Sequence, residues 1–304
     1  MKAETQVKHL KISRDVIAVN ILGIIVIGLF ALICLFPFYL IIVASFTNEN
    51  ALIRNGFPIV FQLKNAGLEA YKLCLKAPGD IINAYLITGS ATIIGTCLSV
   101  LISTMTGYVL SRKDFPWRNK FSFFFFFTTL FNGGLVPWYL ICVRYLHLKN
   151  SYLALILPLL FSVWNMIIAK SFMAGVPASI SESAMLDGAN DIQIYIRLIL
   201  PLSKPLVATL ALFSALSYWN DWYNCMLFIN DSSKWNLQYT LQNILNSSEA
   251  LNRMASQTGM KVASLPAESM KMAMTVVAIG PIILLYPFLQ KYFVKGMTVG
   301  SVKG

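Results

Sequence analysis

Residues 181–205 read SESAMLDGANDIQIYIRLILPLSKP. The rest of the chain is mostly apolar, but this stretch gathers Glu182, Asp187, Asp191, Arg197 and Lys204 around a single glycine, Gly188. It then enters a Leu200-Pro201 pair, and Pro205 opens the next apolar run. Ser181 suits a helix N-cap, and Ala184 is a strong helix former. Gly188 can take a positive φ and end that helix. Asp191 can cap a second helix over residues 192–200, and Pro201 and Pro205 then break the path. Two short helices meeting at a glycine are expected over 181–200. On physical grounds they suit a docking element or a helical connecting loop equally well.

The surroundings of that stretch decide the fold class. Of 304 residues, 57% are hydrophobic and 12% charged. A soluble domain carries about 25% charged residues, so this composition is that of an integral membrane protein. Residues 16–48 contain no charge. The run is about twice the roughly 7–15 residues of a signal-peptide core, so it is expected to remain as a first span, 17–46, with Pro37 as a candidate kink. Residues 47–80 read as a loop with a short amphipathic helix over 68–75. A second uncharged run, 81–111, carries Gly89, Gly95 and Gly107, small residues that let membrane helices approach closely.

SRKDFPWRNK (111–120) is the densest basic loop, with Arg112, Lys113, Arg118 and Lys120. Basic loops stay on the cytoplasmic side. A third span is expected over 121–143. Its end, FNGGLVPWY (131–139), holds a break signal in Asn132, Gly133, Gly134 and Pro137. A fourth covers 151–169 and carries Trp164 and Asn165. A fifth covers 206–228. Residues 229–266, rich in Asn, Ser and Gln, read as an outer loop, and the sixth span covers 269–288. Six spans place both termini in the cytoplasm, with an N-terminal segment 1–16, a membrane domain 17–290 and a tail 291–304. The docking stretch then also lies inside.

The formal charge of +11 follows from these loops and their anionic lipid surroundings. No run of Lys and Arg is dense enough for a nucleic-acid patch. The five cysteines are scattered, and the two histidines lie outside the spans, so no metal site is expected. No GxxxxGK[ST] loop is present and no catalytic constellation stands out. Energy for any transport must come from another polypeptide.

Asp221 lies in YWNDWYN (218–224), within the expected fifth span. A carboxylate in the membrane usually faces a cavity or a partner. Trp219, Trp222 and Tyr223 can stack on sugar rings, and Asn220 and Asp221 can bond hydroxyls. The same residues also suit a structural hydrogen-bond cluster or aromatic anchoring at the membrane face. Asn132, Trp164 and Asn165 are further candidates for a substrate pathway.

Glu182-Ser-Ala-Met-Leu-Asp-Gly-Ala, followed by Ile199-Leu200-Pro201, resembles the EAA motif of ATP-binding-cassette (ABC) importer permeases, with Ser183 where Ala is familiar. The loop 111–120 resembles the SRxxFPGRK loop of carbohydrate permeases, with Trp117 where Gly is frequent. FNGGLVPWY, YWNDWYNCMLFI and the tail QKYFVKGMTVGSVKG resemble permeases for oligosaccharides and glycan fragments. The resemblance covers nearly the whole chain. It implies an all-α type I importer permease fold, in which the 181–200 pair are coupling helices. Glu182, Ser183, Ala184, Asp187, Gly188 and Asp191 would then meet an ATPase. It also implies a second, related permease subunit, two ATPase subunits that bind ATP and Mg, and a solute-binding protein, with no cofactor in this chain. The expected function is sugar or oligosaccharide import by alternating access. Import of an amino acid or peptide is the alternative. An ion-coupled transporter would call for several buried charges and inverted repeats, which are not evident.

Overall fold

The computed structural model describes residues 14–74, 78–258, 268–281 and 283. Regular structure among them is helical, apart from one isolated bridge between Thr47 and Ala66. The chain divides into two compact units. The first contains residues 14–73 and 268–276, and the second contains residues 74, 78–258, 277–281 and 283.

In the first unit α1 (Arg14–Ser45) is a single helix through Pro37. Its apolar stretch Val19–Ser45 is long enough to cross a membrane, and apart from Val43, Ala44 and Ser45 at its end it is not buried in protein. A helix that is apolar all round and uncovered is a membrane helix. Past its end, Tyr71 donates to Ser45 Oγ (2.9 Å) and stacks on Phe46 (5.0 Å between centroids). The Asn48 side chain accepts from Asn50 N (3.0 Å) and opens α2 (Glu49–Asn55). Glu49 is 7% exposed. Its carboxylate accepts from Glu268 N (3.0 Å), Ser269 N (2.8 Å) and Ser269 Oγ (2.8 Å). A negative charge thus sits on the amides of residues 268 and 269, in the first described turn of the helix over 268–281. The short helix expected over 68–75 is α3 (Glu69–Cys74).

The second unit is built on α4 (Pro78–Ser111), the other helix able to span alone. After it come α5 (Arg118–Leu130) and α6 (Leu135–Leu140), the latter widening into a π-turn over Ile141–Tyr145. The two segments bend by 115° at the Asn132–Gly134 break that the sequence signals. Two tight turns, Tyr152–Leu155 and Leu157–Leu159, lead at 47° into α7 (Val163–Ala174). Next are α8 (Ala178–Leu186) and α9 (Asp191–Ile194), the latter continuing as a π-turn over Tyr195–Ile199 and as α10 (Leu200–Leu202). An 84° bend at Ser203 separates these from α11 (Lys204–Trp219). Pro205 sits in the first turn of α11, where a missing N–H costs nothing, and Pro201 follows directly on the π-turn, near the end of the segment that begins at Asp191.

Two features differ from expectation. The fifth span does not run to 228, because α11 ends at Trp219 and α12 (Tyr223–Phe228) restarts after a gap. The expected outer loop contains α13 (Leu237–Thr258). Asn236 caps α13 through Tyr239 N (3.0 Å), and Leu237 and Leu241 are buried. Two helices can therefore span alone among the described residues, and up to five if each bent pair is one span. The expected sixth span is helical from 268 to 281, and the tail 291–304 lies outside the described residues.

The α4 helix packs against α7 and α11. A methyl group on Gly107 would come within 2.9 Å of Lys170 N and collide with Ala169, and one on Gly95 would enter the Tyr218 ring. Gly89 faces open space. Polar ties run between the same helices, Ser99 Oγ to Ser214 Oγ (3.2 Å) and Asn165 Nδ2 to Ser214 Oγ (3.2 Å), and Tyr218 OH of α11 donates to Ile156 O (2.9 Å) between the two tight turns. Gly107→Val should lower thermal stability by about 1–3 kcal/mol, as overpacking does. Gly89→Ala should leave it unchanged. Paired melting curves of the purified variants check this.

Candidate functional site

The first candidate surface is the α8–α9 turn. Pro177 precedes α8 with an extended ψ of 129°, so the helix starts at Ala178 and Ser181 lies inside it, not at its cap. A proline sets φ without needing a donor, and it moves the cap from the expected Ser181 to a position four residues earlier. The C-terminal end is as expected. Gly188 has φ +83°, its N–H donates to Met185 O (3.0 Å), and Ala189 N donates to Ala184 O (2.9 Å). These are the two crossed bonds of a Schellman turn, which needs a left-handed residue at its centre. The second helix is capped by Asn190, one residue earlier than the expected Asp191. The Asn190 side chain accepts from Gln193 N (2.9 Å), and the Gln193 side chain accepts from Asn190 N (3.0 Å). Asp191 is left free to pair with Arg112.

Glu182, Ser183, Asp187, Gly188 and Asp191 are exposed, while Ala184 packs against the core beneath. The sequence reading missed two apolar residues at the same turn. Leu186 is 90% exposed and Ile192 67%. Single exposed leucines are unremarkable; two large apolar side chains flanking one turn, among carboxylates, make a contact face. Behind them lies a cleft of about 330 Å³ lined by Ser111, Arg112, Ser181, Glu182, Met185 and Ile199. Arg112 also holds Asp114, and this hydrogen-bonded guanidinium keeps the Asp114 carboxyl below the usual carboxylate range.

The second candidate surface is the break between α5 and α6. Asn132 Oδ1 accepts from Gly134 N (2.9 Å), and Gly134 has φ +87°. A cleft of about 520 Å³ opens there, lined by Asn132, Gly133, Gly134, Pro137, Trp138 and Tyr223. Trp222 stands edge-on to Tyr223 (centroids 5.8 Å apart), and both rings are partly exposed.

Of the eight candidates for a substrate pathway, this cleft collects Asn132 and Tyr223, with Trp222 beside them. Three others are engaged in local structure. Trp219 is buried and donates to Ala278 O (3.0 Å). Asn220 donates to Leu216 O (2.9 Å). The Asp221 carboxylate accepts from Asn224 N (3.1 Å) and Asn224 Nδ2 (3.2 Å), which holds the first turn of α12. Asn165 is buried on Ser214, whereas Trp164 is 67% exposed and lies outside the cleft lining.

An apolar helical bundle with broken spans and a polar, glycine-turned helix pair is the framework of a membrane permease. No family model matches the chain. It is 40% identical over 277 residues to the polygalacturonan/rhamnogalacturonan transport system permease protein YtcP of Bacillus subtilis (strain 168), covering 91% of this chain and 95% of that protein. It is 38% identical over 287 residues to protein LplC of the same organism, covering 94% and 95%. Its fold matches a bacterial ABC transporter involved in import of the acidic polysaccharide alginate, with a TM-score of 0.76 and 28% identity over 93% of this chain and 99% of that one. The chain belongs to the permease subunits of ABC sugar-transport systems, and it is a membrane protein.

The positive φ at Gly188 sets a specific expectation. With open space around a Cβ there, only backbone strain opposes substitution. Gly188→Val should destabilise the turn by roughly 1–2 kcal/mol, and Gly188→Asn by less, since Asn tolerates that region. Hydrogen exchange of the amides at 188 and 189 reads the difference.

Proposed function

We propose that the chain forms one half of the translocation pore of an ATP-driven importer of oligosaccharides, those released from acidic polysaccharides in particular. The observation that carries this is the glycine-turned helix pair, which offers Leu186, Ile192 and three carboxylates on one exposed turn. Such a knob suits a groove on a separate ATPase. The named substrates of YtcP and of the alginate transporter support an acidic sugar. Six spans with both termini in the cytoplasm place the turn on the side where ATP is available.

Glu182, Ser183, Ala184, Asp187, Gly188 and Asp191 belong to the ATPase-facing element. Ala184 acts from beneath, and Asp191 acts through Arg112. ATP and Mg are held by two partner ATPase subunits, and this chain needs no cofactor of its own. A second, homologous permease subunit completes the pore as a heterodimer, and an extracytoplasmic solute-binding protein delivers the sugar. Substrate passes the cleft at Asn132, Trp222 and Tyr223. An aromatic edge beside an amide suits a sugar ring with its hydroxyls. Trp164 stands nearer lipid, and Trp219, Asn220, Asp221 and Asn165 hold the surrounding helices.

Uptake of labelled trigalacturonate by cells carrying the intact transporter should vanish when the ATPase gene is deleted. Persistence would refute the proposal. Leu186→Glu should cut uptake tenfold or more at unchanged membrane level, a loss of about 1.4 kcal/mol in docking. Tyr223→Ala should raise the KM for uptake, and an unchanged KM would remove the cleft from the pathway.

A further inference from the structure

Thr104 and Tyr108 lie one turn apart on α4, and Arg112, the first residue past its end, follows at the same four-residue spacing. Each meets the second short helix. Thr104 Oγ1 and Tyr195 OH are 2.8 Å apart. The Tyr108 and Tyr195 rings pack with centroids at 5.6 Å. Arg112 pairs with Asp191, one turn before Tyr195. Moving up α4 means moving down α9, so the contacts form an antiparallel ladder. Its inner rungs are closed to water: Thr104 is 0% exposed, Tyr195 4% and Tyr108 7%.

The outer rung needs separate treatment, because exposed ion pairs contribute little. Asp191 is largely exposed, but Arg112 is not. Its guanidinium also pairs with Asp114, donates to Tyr108 OH (3.3 Å) and lies 5.8 Å from the Tyr108 ring centroid. The long side chain is already ordered before Asp191 reaches it, which removes most of the entropy cost that weakens a surface pair. Ile194, Tyr195 and Ile199 are bedded in the same core cluster as Val100 of α4. No residue of α8 is buried. The two halves of the turn therefore differ: α8 is the projecting half, and α9 with its π-turn is fastened to α4.

We propose that Arg112 is a positioning residue of the transport cycle. With Tyr108 and Thr104 it locks the second short helix to α4, so that displacement of the projecting turn moves α4 as a lever. Since α4 packs on α7 and α11, the movement enters the bundle through its central helix. This inference rests on the proposed importer function for its consequence, but the ladder itself does not.

The test has two arms. In the full chain in lipid nanodiscs, Arg112→Ala and Asp191→Ala should each speed amide exchange over 195–202 about fivefold, and the double variant no further, as for one coupled pair. Tyr195→Phe, which removes one hydroxyl, should act in the same direction. Arg118→Ala removes a charge from the same loop but no rung, and should have no effect. Unchanged exchange in Arg112→Ala, or additive effects in the double variant, overturns the ladder. In the complex with its ATPases in proteoliposomes, Arg112→Ala should keep ATP hydrolysis while trigalacturonate uptake falls about fivefold, with Arg112→Lys intermediate. Equal loss of both activities overturns the lever and leaves a merely structural role. If the unaltered complex shows no ATP-driven uptake, the importer function fails and the lever with it, while the exchange arm still decides the ladder.

Discussion

At Gly107 the α4 backbone lies against Ala169 and Lys170 with no room for a methyl group, and at Gly95 it receives the Tyr218 ring. In a bilayer, apolar surface gains little by turning from lipid to protein, so helices associate through close packing and hydrogen bonds. The two glycines supply the first, and the Ser99–Ser214–Asn165 node supplies the second. Everything else in the second unit hangs on that contact. The turn after α7 is placed by α7, the second short helix is bedded on α4, and α11 departs at 84° from α10.

Broken helices are the other governing feature. Free backbone groups at membrane depth must find partners or line a cavity. At the α5–α6 break the Asn132 side chain satisfies Gly134 N, and a cleft opens beside it. At the α11–α12 break the Asp221 carboxylate satisfies Asn224 N, and the site is closed by local bonds. The same device yields an open cleft in one place and a strut in the other. What separates them is the amide at 236, whose side chain donates to the Asp221 carbonyl and fills the space.

Much of this was legible in the sequence, for reasons that can be named. Uncharged runs longer than the bilayer is thick disclose α1 and α4 directly. Asn-Gly-Gly and the Met-Leu-Asp-Gly turn disclose a break and a Schellman end, because only certain residues take those backbone angles. Local competition hid the caps: Pro177 pre-empts Ser181, and Asn190 reaches the amide that Asp191 was expected to take. Composition hid α13, whose outward face is Asn, Ser and Gln while Leu237 and Leu241 face inward. The site was harder still. Asp221 and Asn165 are polar residues in apolar stretches, which marks pathway and scaffold alike; only their partners distinguish the two. Arg112 was read as part of a basic loop, and its role at the α4–α9 contact depends on a residue 79 positions away.

Glu49 binds the amides of residues 268 and 269, at separations of 219 and 220 positions. A ribosome adds about 5–20 residues per second, so roughly 10–40 s separate the synthesis of this carboxylate from that of its ligands. By the end of that interval α1 and α4 have both been made, while the clasp that completes the first unit does not yet exist. The first unit is therefore completed only when residues 268 and 269 reach Glu49.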